Sequence, residues 1–197
     1  MRIYLDLDEV LCDFKGAALT VFGVTKNLFN SEHTPGDWDI VSTLNRLITP
    51  PNIEYPEFES IINKQGPDFW ATLDPLPHFD QLIKIVSAIT SEWYIVSDPC
   101  NFKYAAYQKL LWLQRRLGKN FDRLILTKHK HLLANKDSIL IDDKDKNIDE
   151  FGQHGGIGII FPTLHNHLHK HSNDPIGWLL DYNLAFRSCI KYGSAIN

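Results

Sequence analysis

Ile3-Tyr4-Leu5-Asp6-Leu7-Asp8-Glu9-Val10-Leu11 decides how this chain folds. Its apolar start, Ile3 to Leu5, reads as a short buried strand, set at roughly Arg2 to Leu7. Asp6 and Asp8 follow, one residue apart. Residues two apart in a strand lie on one face, so both carboxylates are expected to project from the strand's carboxyl end into one space. Open parallel α/β sheets bind ligands there. Two like charges this close repel, and a bound cation is the usual remedy. Asp-x-Asp also occurs by chance at turns and helix caps. The apolar strand before it and Val10-Leu11 after it favour the functional reading.

Outward from this stretch, strand and helix patterns alternate. Phe14 to Phe22 has helical apolar spacing and Gly23 is a plausible stop. Beyond residue 76, helical spacing over Phe79 to Thr90 precedes an apolar strand, Trp93 to Val96, which ends at Ser97-Asp98-Pro99. A helix over Lys103 to Leu117, closed by Gly118, leads to strands at Arg123 to Leu126 and Ser138 to Ile141. The second of these ends at Asp142-Asp143. A short helix, Lys146 to Phe151, a fifth strand, Gly158 to Phe161, and a last helix capped by Asp174 with Pro175 at its first position complete the pattern. The alternation predicts an α/β fold: a Rossmann-like parallel sheet of about five strands, flanked by helices, with right-handed crossovers. One edge of that sheet would then gather Asp6 and Asp8, Ser97, and Asp142 and Asp143, with Lys128 and Lys130 after the remaining strand.

Residues 24–76 differ in character. Asn, Pro and aromatics dominate, and prolines cut the stretch into short pieces, with helical fragments expected at Val41 to Leu47 and Glu57 to Lys64. Disordered segments are poor in aromatics, so this is read as a small helical cap inserted after the first strand and helix. The core would comprise residues 1–23 and 77–197. Trp38 and Trp70 suit either the insert's own core or a ligand wall.

The 197-residue chain is long enough for one sizeable core plus a small insert. Its net charge of −4 lacks the basic excess that a grip on a long polyanion requires. Three scattered cysteines, Cys12, Cys100 and Cys189, indicate free thiols in a reducing, cytoplasmic setting. Met1-Arg2-Ile3 runs directly into the first strand, so no signal peptide is expected, and no apolar run approaches a membrane span. Histidines at 165, 167, 169 and 171 form a tract that could bind metal but reads more readily as a solvated loop.

These residues suit phosphate monoester chemistry. Mg²⁺ is usually held by one or two carboxylates plus waters and phosphate oxygens, and Asp6 and Asp142 can supply the carboxylates. A carboxylate can also attack phosphorus to give an aspartyl-phosphate, provided a second group handles the leaving oxygen and the water. Asp8 is placed for that. Ser97 and a lysine would hold the equatorial oxygens as charge spreads over them.

Asp6-Leu7-Asp8-Glu9-Val10-Leu11, Ser97 after an apolar strand, a downstream lysine, and Ile139-Leu140-Ile141-Asp142-Asp143 resemble the four motifs of the haloacid dehalogenase-like phosphatases. Asp13-Phe14, Asp74-Pro75-Leu76-Pro77, Ile125-Leu126-Thr127-Lys128-His129-Lys130 and His165-Asn166 resemble those of the 5'(3')-deoxyribonucleotidases. The resemblance implies Asp6 as nucleophile and Mg²⁺ ligand. It implies Asp8 as general acid/base, with its main-chain carbonyl a second ligand, and Asp142 as the third contact with Asp143 as runner-up. Ser97 and Lys130 would bind phosphate, and Phe14 and Trp38 would line a nucleoside pocket. The implied substrate is a nucleoside 5'- or 3'-monophosphate, with Mg²⁺ as cofactor and no polymeric nucleic acid or membrane as partner. A homodimer is left open. Glu9 departs from the family's usual glycine, and Asp37 and Asp39 flank Trp38 where the family has apolar residues. Two other readings compete. A phosphatase of polynucleotide 3' ends would need a basic track. A binding protein that lost catalysis would most simply lack Asp6 or Asp8, and both are present.

Overall fold

The computed structural model describes residues 1–50, 52–181, 186 and 188. Cys189 lies outside them. Five parallel strands form one sheet: β1 (Arg2–Leu5), β2 (Trp93–Ser97), β3 (Leu124–Leu126), β4 (Ser138–Asp142) and β5 (Ile157–Ile160), in the order β3-β2-β1-β4-β5. The helices between β1 and β2 are α1 (Phe14–Val21), α2 (Lys26–Glu32), α3 (Ile40–Leu47), α4 (Tyr55–Asn63), α5 (Asp68–Ala71) and α6 (Phe79–Ile89). α7 (Ala105–Leu117), α8 (Asp145–Gln153) and α9 (Pro175–Asp181) follow.

The strands are apolar throughout because helices cover both faces of a parallel sheet. Alternation sends Ile3, Leu5, Ile95, Ile139 and Ile141 to one side, where Leu82 and Val86 of α6 and Trp112 and Leu113 of α7 meet them. Tyr4, Val96 and Leu140 point to the other, against Phe151 of α8. Each fully buried Ile or Leu contributes about 1.5–3 kcal/mol.

β1 stops at Leu5, two residues short of the expected end. Asp6 N still donates to Ile141 O at 2.9 Å, but the chain then curls, with Leu11 N and Cys12 N both donating to Leu7 O at 2.8 and 3.0 Å. Glu9 takes φ +60 at the crest of this curl. That left-handed conformation is uncommon for a residue with a Cβ.

In the insert, α3 and α4 lie within two residues of expectation at every end. α2 and α5 are additional. α2 buries only Phe29, which leaves no apolar period to read. α5 is one turn whose partners lie far along the chain: Trp112 Nε1 donates to Leu73 O at 2.7 Å, and Arg115 Nη1 to Ala71 O at 2.9 Å. Phe29, Val41, Leu44, Phe58 and Ile62 form an apolar cluster with Ala18 and Leu19 of α1. Trp70 and Leu73 join the cluster under the sheet instead.

Candidate active site

β1 and β4 are neighbours that the chain reaches in opposite directions, since β2 and β3 lie on one side of β1 and β4 and β5 on the other. The crevice at such a switch point is where this sheet architecture binds ligands. A cavity of about 590 Å³ opens there. Asp6, Asp8, Lys130 and Asp143 line its polar part; Phe14, Trp38, Tyr55, Phe58, Trp70 and Phe102 line the rest.

Two lysines organise the polar part. Lys130 Nζ lies 2.6 Å from Asp6 Oδ1 and 2.6 Å from Asp142 Oδ2. It begins a 3-10 turn, Lys130–Leu133, that carries it from β3 towards β4. Burial alone would lower its pKa, but Asp142 and Asp6 hold it above the ordinary lysine value. Burial pushes the Asp6 carboxyl up to about 7; Lys130 opposes the rise, and the charges of Asp142 and Asp8 add to it. Lys128, by contrast, is exposed and donates to Asn101 Oδ1 at 3.4 Å.

Lys109, on α7, is the second lysine and the sequence reading missed it. It is 1% exposed. Its Nζ donates to Asp8 Oδ2 at 2.7 Å, Ser97 Oγ at 2.9 Å and Asp98 O at 2.8 Å, and it stands 4.5 Å over the Trp70 ring. Burial opposes its charge, yet the carboxylate of Asp8 keeps its pKa raised. Ser97 Oγ donates in turn to Asp8 Oδ2 at 3.3 Å. Asp6 and Asp8 thus share one cavity but have separate cationic partners, because the chain leaves the strand between them. Ser97 is fully buried behind Asp8 and Lys109. A signal for Lys109 existed: Trp112 and Leu113 follow at three and four residues, which puts a lysine on the apolar face of a helix.

Asp142 is wholly buried and well supplied. Its Oδ2 accepts from Asn147 Nδ2 at 2.9 Å as well as from Lys130, and its Oδ1 accepts from Lys144 N at 2.9 Å. Asp143 is the reverse. Its Oδ2 is buried with no partner among the described residues, and burial and the charge of Asp142 raise its pKa well above the usual range. Asp6, Asp142 and Asp143 each offer an oxygen within 4.8 Å of the others, which among the described residues is the one set that could share a cation. Hard oxygen donors with one orphaned carboxylate fit Mg²⁺. The histidine tract does not converge in this way: His165 is buried against His33, while His167 turns outwards to pair with Asp145.

On the aromatic part, Phe14 stacks on Trp70 with ring centroids 4.9 Å apart and planes 5° from parallel. Trp70 is at once core and cavity wall. Trp38 is half-buried, lies 5.8 Å from Lys144 Nζ and belongs to none of the apolar clusters. Its indole N–H has no acceptor among the described residues. Cys100 lines the cavity too. Burial pushes its thiol up to about 12, which leaves it a neutral wall group.

The sheet order, with an Asp-x-Asp at the switch point, is that of the haloacid dehalogenase-like α/β fold. A family HAD hydrolase from Deinococcus radiodurans R1, solved with bound phosphate and sodium, shares this fold with a TM-score of 0.55 at 13% identity, over 87% of this chain and 86% of that one. The mitochondrial 5'(3')-deoxyribonucleotidase of Mus musculus is 27% identical over 173 residues, 85% of this chain and 75% of that protein. The Homo sapiens counterpart is 27% identical over 150 residues, 73% of this chain and 62% of that protein. The family model for 5' nucleotidase, deoxy (pyrimidine), cytosolic type C protein matches residues 1–184. The chain belongs to that family and is a hydrolase of phosphoric monoesters. No described helix is long and apolar enough to cross a membrane.

Proposed function

We propose that the chain dephosphorylates nucleoside 5'- or 3'-monophosphates, deoxyribonucleotides in particular, with Mg²⁺ and through an aspartyl-phosphate on Asp6. One observation carries this reading: a single cavity joins the Asp6, Lys130 and Asp143 cluster to a wall of stacked aromatics. The first suits a phosphate and the second a base. When bound, Mg²⁺ would supply charge neutralisation at the phosphate and among the crowded carboxylates. Asp6 and the Asp8 carbonyl would hold it. Of the carboxyl pair, Asp143 is supported for direct contact by its orphaned Oδ2. Asp142, the third contact by resemblance, is engaged by Lys130, Asn147 and Lys144 N. Its supported role is to anchor Lys130.

The steps follow from the chain's own groups. An Asp6 oxygen attacks phosphorus, the bond to the nucleoside oxygen breaks, and Asp8, which must enter this step protonated, gives its proton to that oxygen. Asp8 then takes a proton from water as the water oxygen attacks phosphorus, releasing Asp6 and inorganic phosphate. Lys130 and Lys109 would oppose the charge that spreads over the phosphoryl oxygens, with Ser97 orienting Lys109. Asp6 must be ionised to attack, and its raised pKa makes the nearby cations part of the mechanism. Residues 24–76 would act as a cap over this edge, excluding water and leaving a polymer no exit.

The test is a hydrolysis screen across 5'- and 3'-monophosphates of deoxyribo- and ribonucleosides with Mg²⁺. Release of phosphate from deoxyribonucleotides is the expected result. Turnover of sugar phosphates alone, or of oligonucleotide ends, would overturn the reading.

A further inference from the structure

On the insert's side of the cavity stands one carboxylate that the mechanism does not use. Tyr55, Phe58, Glu59 and Ile62 occupy one face of α4 by their spacing of three, four and seven. Phe58 and Ile62 are buried in the insert's apolar cluster, and Tyr55 and Glu59 line the cavity beside Phe14, Trp38 and Phe102. Glu59 is half-buried and has no hydrogen bond or ion pair among the described residues. Cavity water can reach this carboxylate, so a ligand that displaces the water must donate to it instead.

We infer that Glu59 selects the nucleobase, favouring bases that carry an amino group over thymine and uracil. The inference rests on the nucleotide reading above. An ionised carboxylate accepts hydrogen bonds and cannot donate. Cytosine N4, adenine N6 and guanine N2 each present amino hydrogens to such an acceptor, and cytosine N4 is a known partner of Glu and Asp. Uracil and thymine present carbonyl oxygens at the matching edge. Their N3–H lies between two carbonyls, so a carboxylate that approaches it meets repulsion on both sides.

dCMP against dUMP tests the effect, because the two differ only at this edge: cytosine has an amino group at C4 and a bare N3, uracil a carbonyl and an N3–H. kcat/KM should favour dCMP by about ten- to a hundredfold. Glu59→Gln, whose amide can turn either hydrogen or oxygen to the base, should bring the ratio close to one. The melting temperature of the variant establishes that it folds. A wild-type chain that prefers dUMP, or a folded Glu59→Gln variant with the original ratio, would overturn the inference. Hydrolysis of p-nitrophenyl phosphate with none of the nucleotides cleaved would overturn the nucleotide reading itself, and this inference with it.

Discussion

Asp6 and Lys109 mark the two extremes of what a residue reveals in sequence. Asp6 was legible because an apolar strand leads into a second acid two positions on, and the motif fixes its place at the sheet edge. Asparagine at position 6 keeps the shape and loses the charge, so Asp6→Asn should abolish turnover while the circular dichroism spectrum is retained. Near wild-type activity in that variant would sink the covalent mechanism. Lys109 was not legible as a site residue. It sits in a helix, twelve positions after Ser97, and only the fold brings its Nζ to Asp8, Ser97 and Asp98 O. Methionine there preserves volume but leaves Asp8 without its cation. Lys109→Met should lower kcat/KM by at least about a hundredfold, the scale of losing one preorganised electrostatic contact. Because the Asp8 side chain is 22% exposed, water can take over part of its solvation. The melting temperature should therefore fall by only a few degrees, about 1 kcal/mol.

At the scale of elements, the strands and long helices were readable because burial on two faces or on one stripe leaves a period in the sequence. α5 left none, since its reason for being helical is α7, forty residues away in the chain. The loop that carries Trp38 is held in a comparable way. His33 Nδ1 pairs with Thr43 Oγ1 at 2.9 Å, His33 Nε2 lies 2.9 Å from Asp37 O, and His165 Nδ1 reaches His33 Nε2 at 3.1 Å. This clamp joins the insert to the segment after β5, where Gly36 N also donates to Leu164 O at 2.8 Å. Burial, then Lys15 and His33, lower His165 to about 3, and burial lowers His33. Both folded-state values lie below the unfolded one of about 6.5. The unfolded chain therefore takes up protons first as pH falls. The clamp's stability is complete above about pH 6.5 and is lost progressively towards pH 3. Asp6 and Glu9, each raised to about 7 mainly by burial, act with the opposite sign, so the readout must be a difference. Melting temperature should fall less steeply from pH 7 to 4 in His165→Gln than in wild type. Equal slopes would mean that the clamp does not titrate. Trp38→Ala, on the same loop, should weaken nucleotide turnover by roughly one to two orders of magnitude if the ring stacks on the base. It should leave p-nitrophenyl phosphate nearly unaffected, and equal losses on both substrates would make the ring structural.

For the molecule as a whole, order along the chain and order in the sheet diverge at one place, between β1 and β4, and the chemistry gathers there. Alternation of strand and helix was enough to anticipate that edge. The paired lysines beneath it depend on distances that spacing does not encode. Asp6, Asp142 and Asp143 offer oxygens within 4.8 Å of one another beside Lys130, a crowding of carboxyl groups that a bound cation relieves. Millimolar Mg²⁺ should therefore raise the melting temperature by mass action, and EDTA should reverse both that shift and the activity. Ca²⁺ should inhibit, because its larger, looser coordination misplaces the attacking oxygen. Full activity after exhaustive chelation would remove the metal from the mechanism.

The ion pair between Lys109 and Asp8 also bears on how a turnover cycle ends. In the free enzyme this ammonium is already saturated, with a carboxylate, a hydroxyl and a carbonyl at 2.7 to 2.9 Å. A phosphate ion arriving by itself must displace Asp8 from that cation, with no nucleoside stacked on the aromatic wall to compensate. The pocket resets on its own contacts as the phosphate, the last product, leaves. Inorganic phosphate should then be a weak competitor of the nucleotide and a weak product inhibitor.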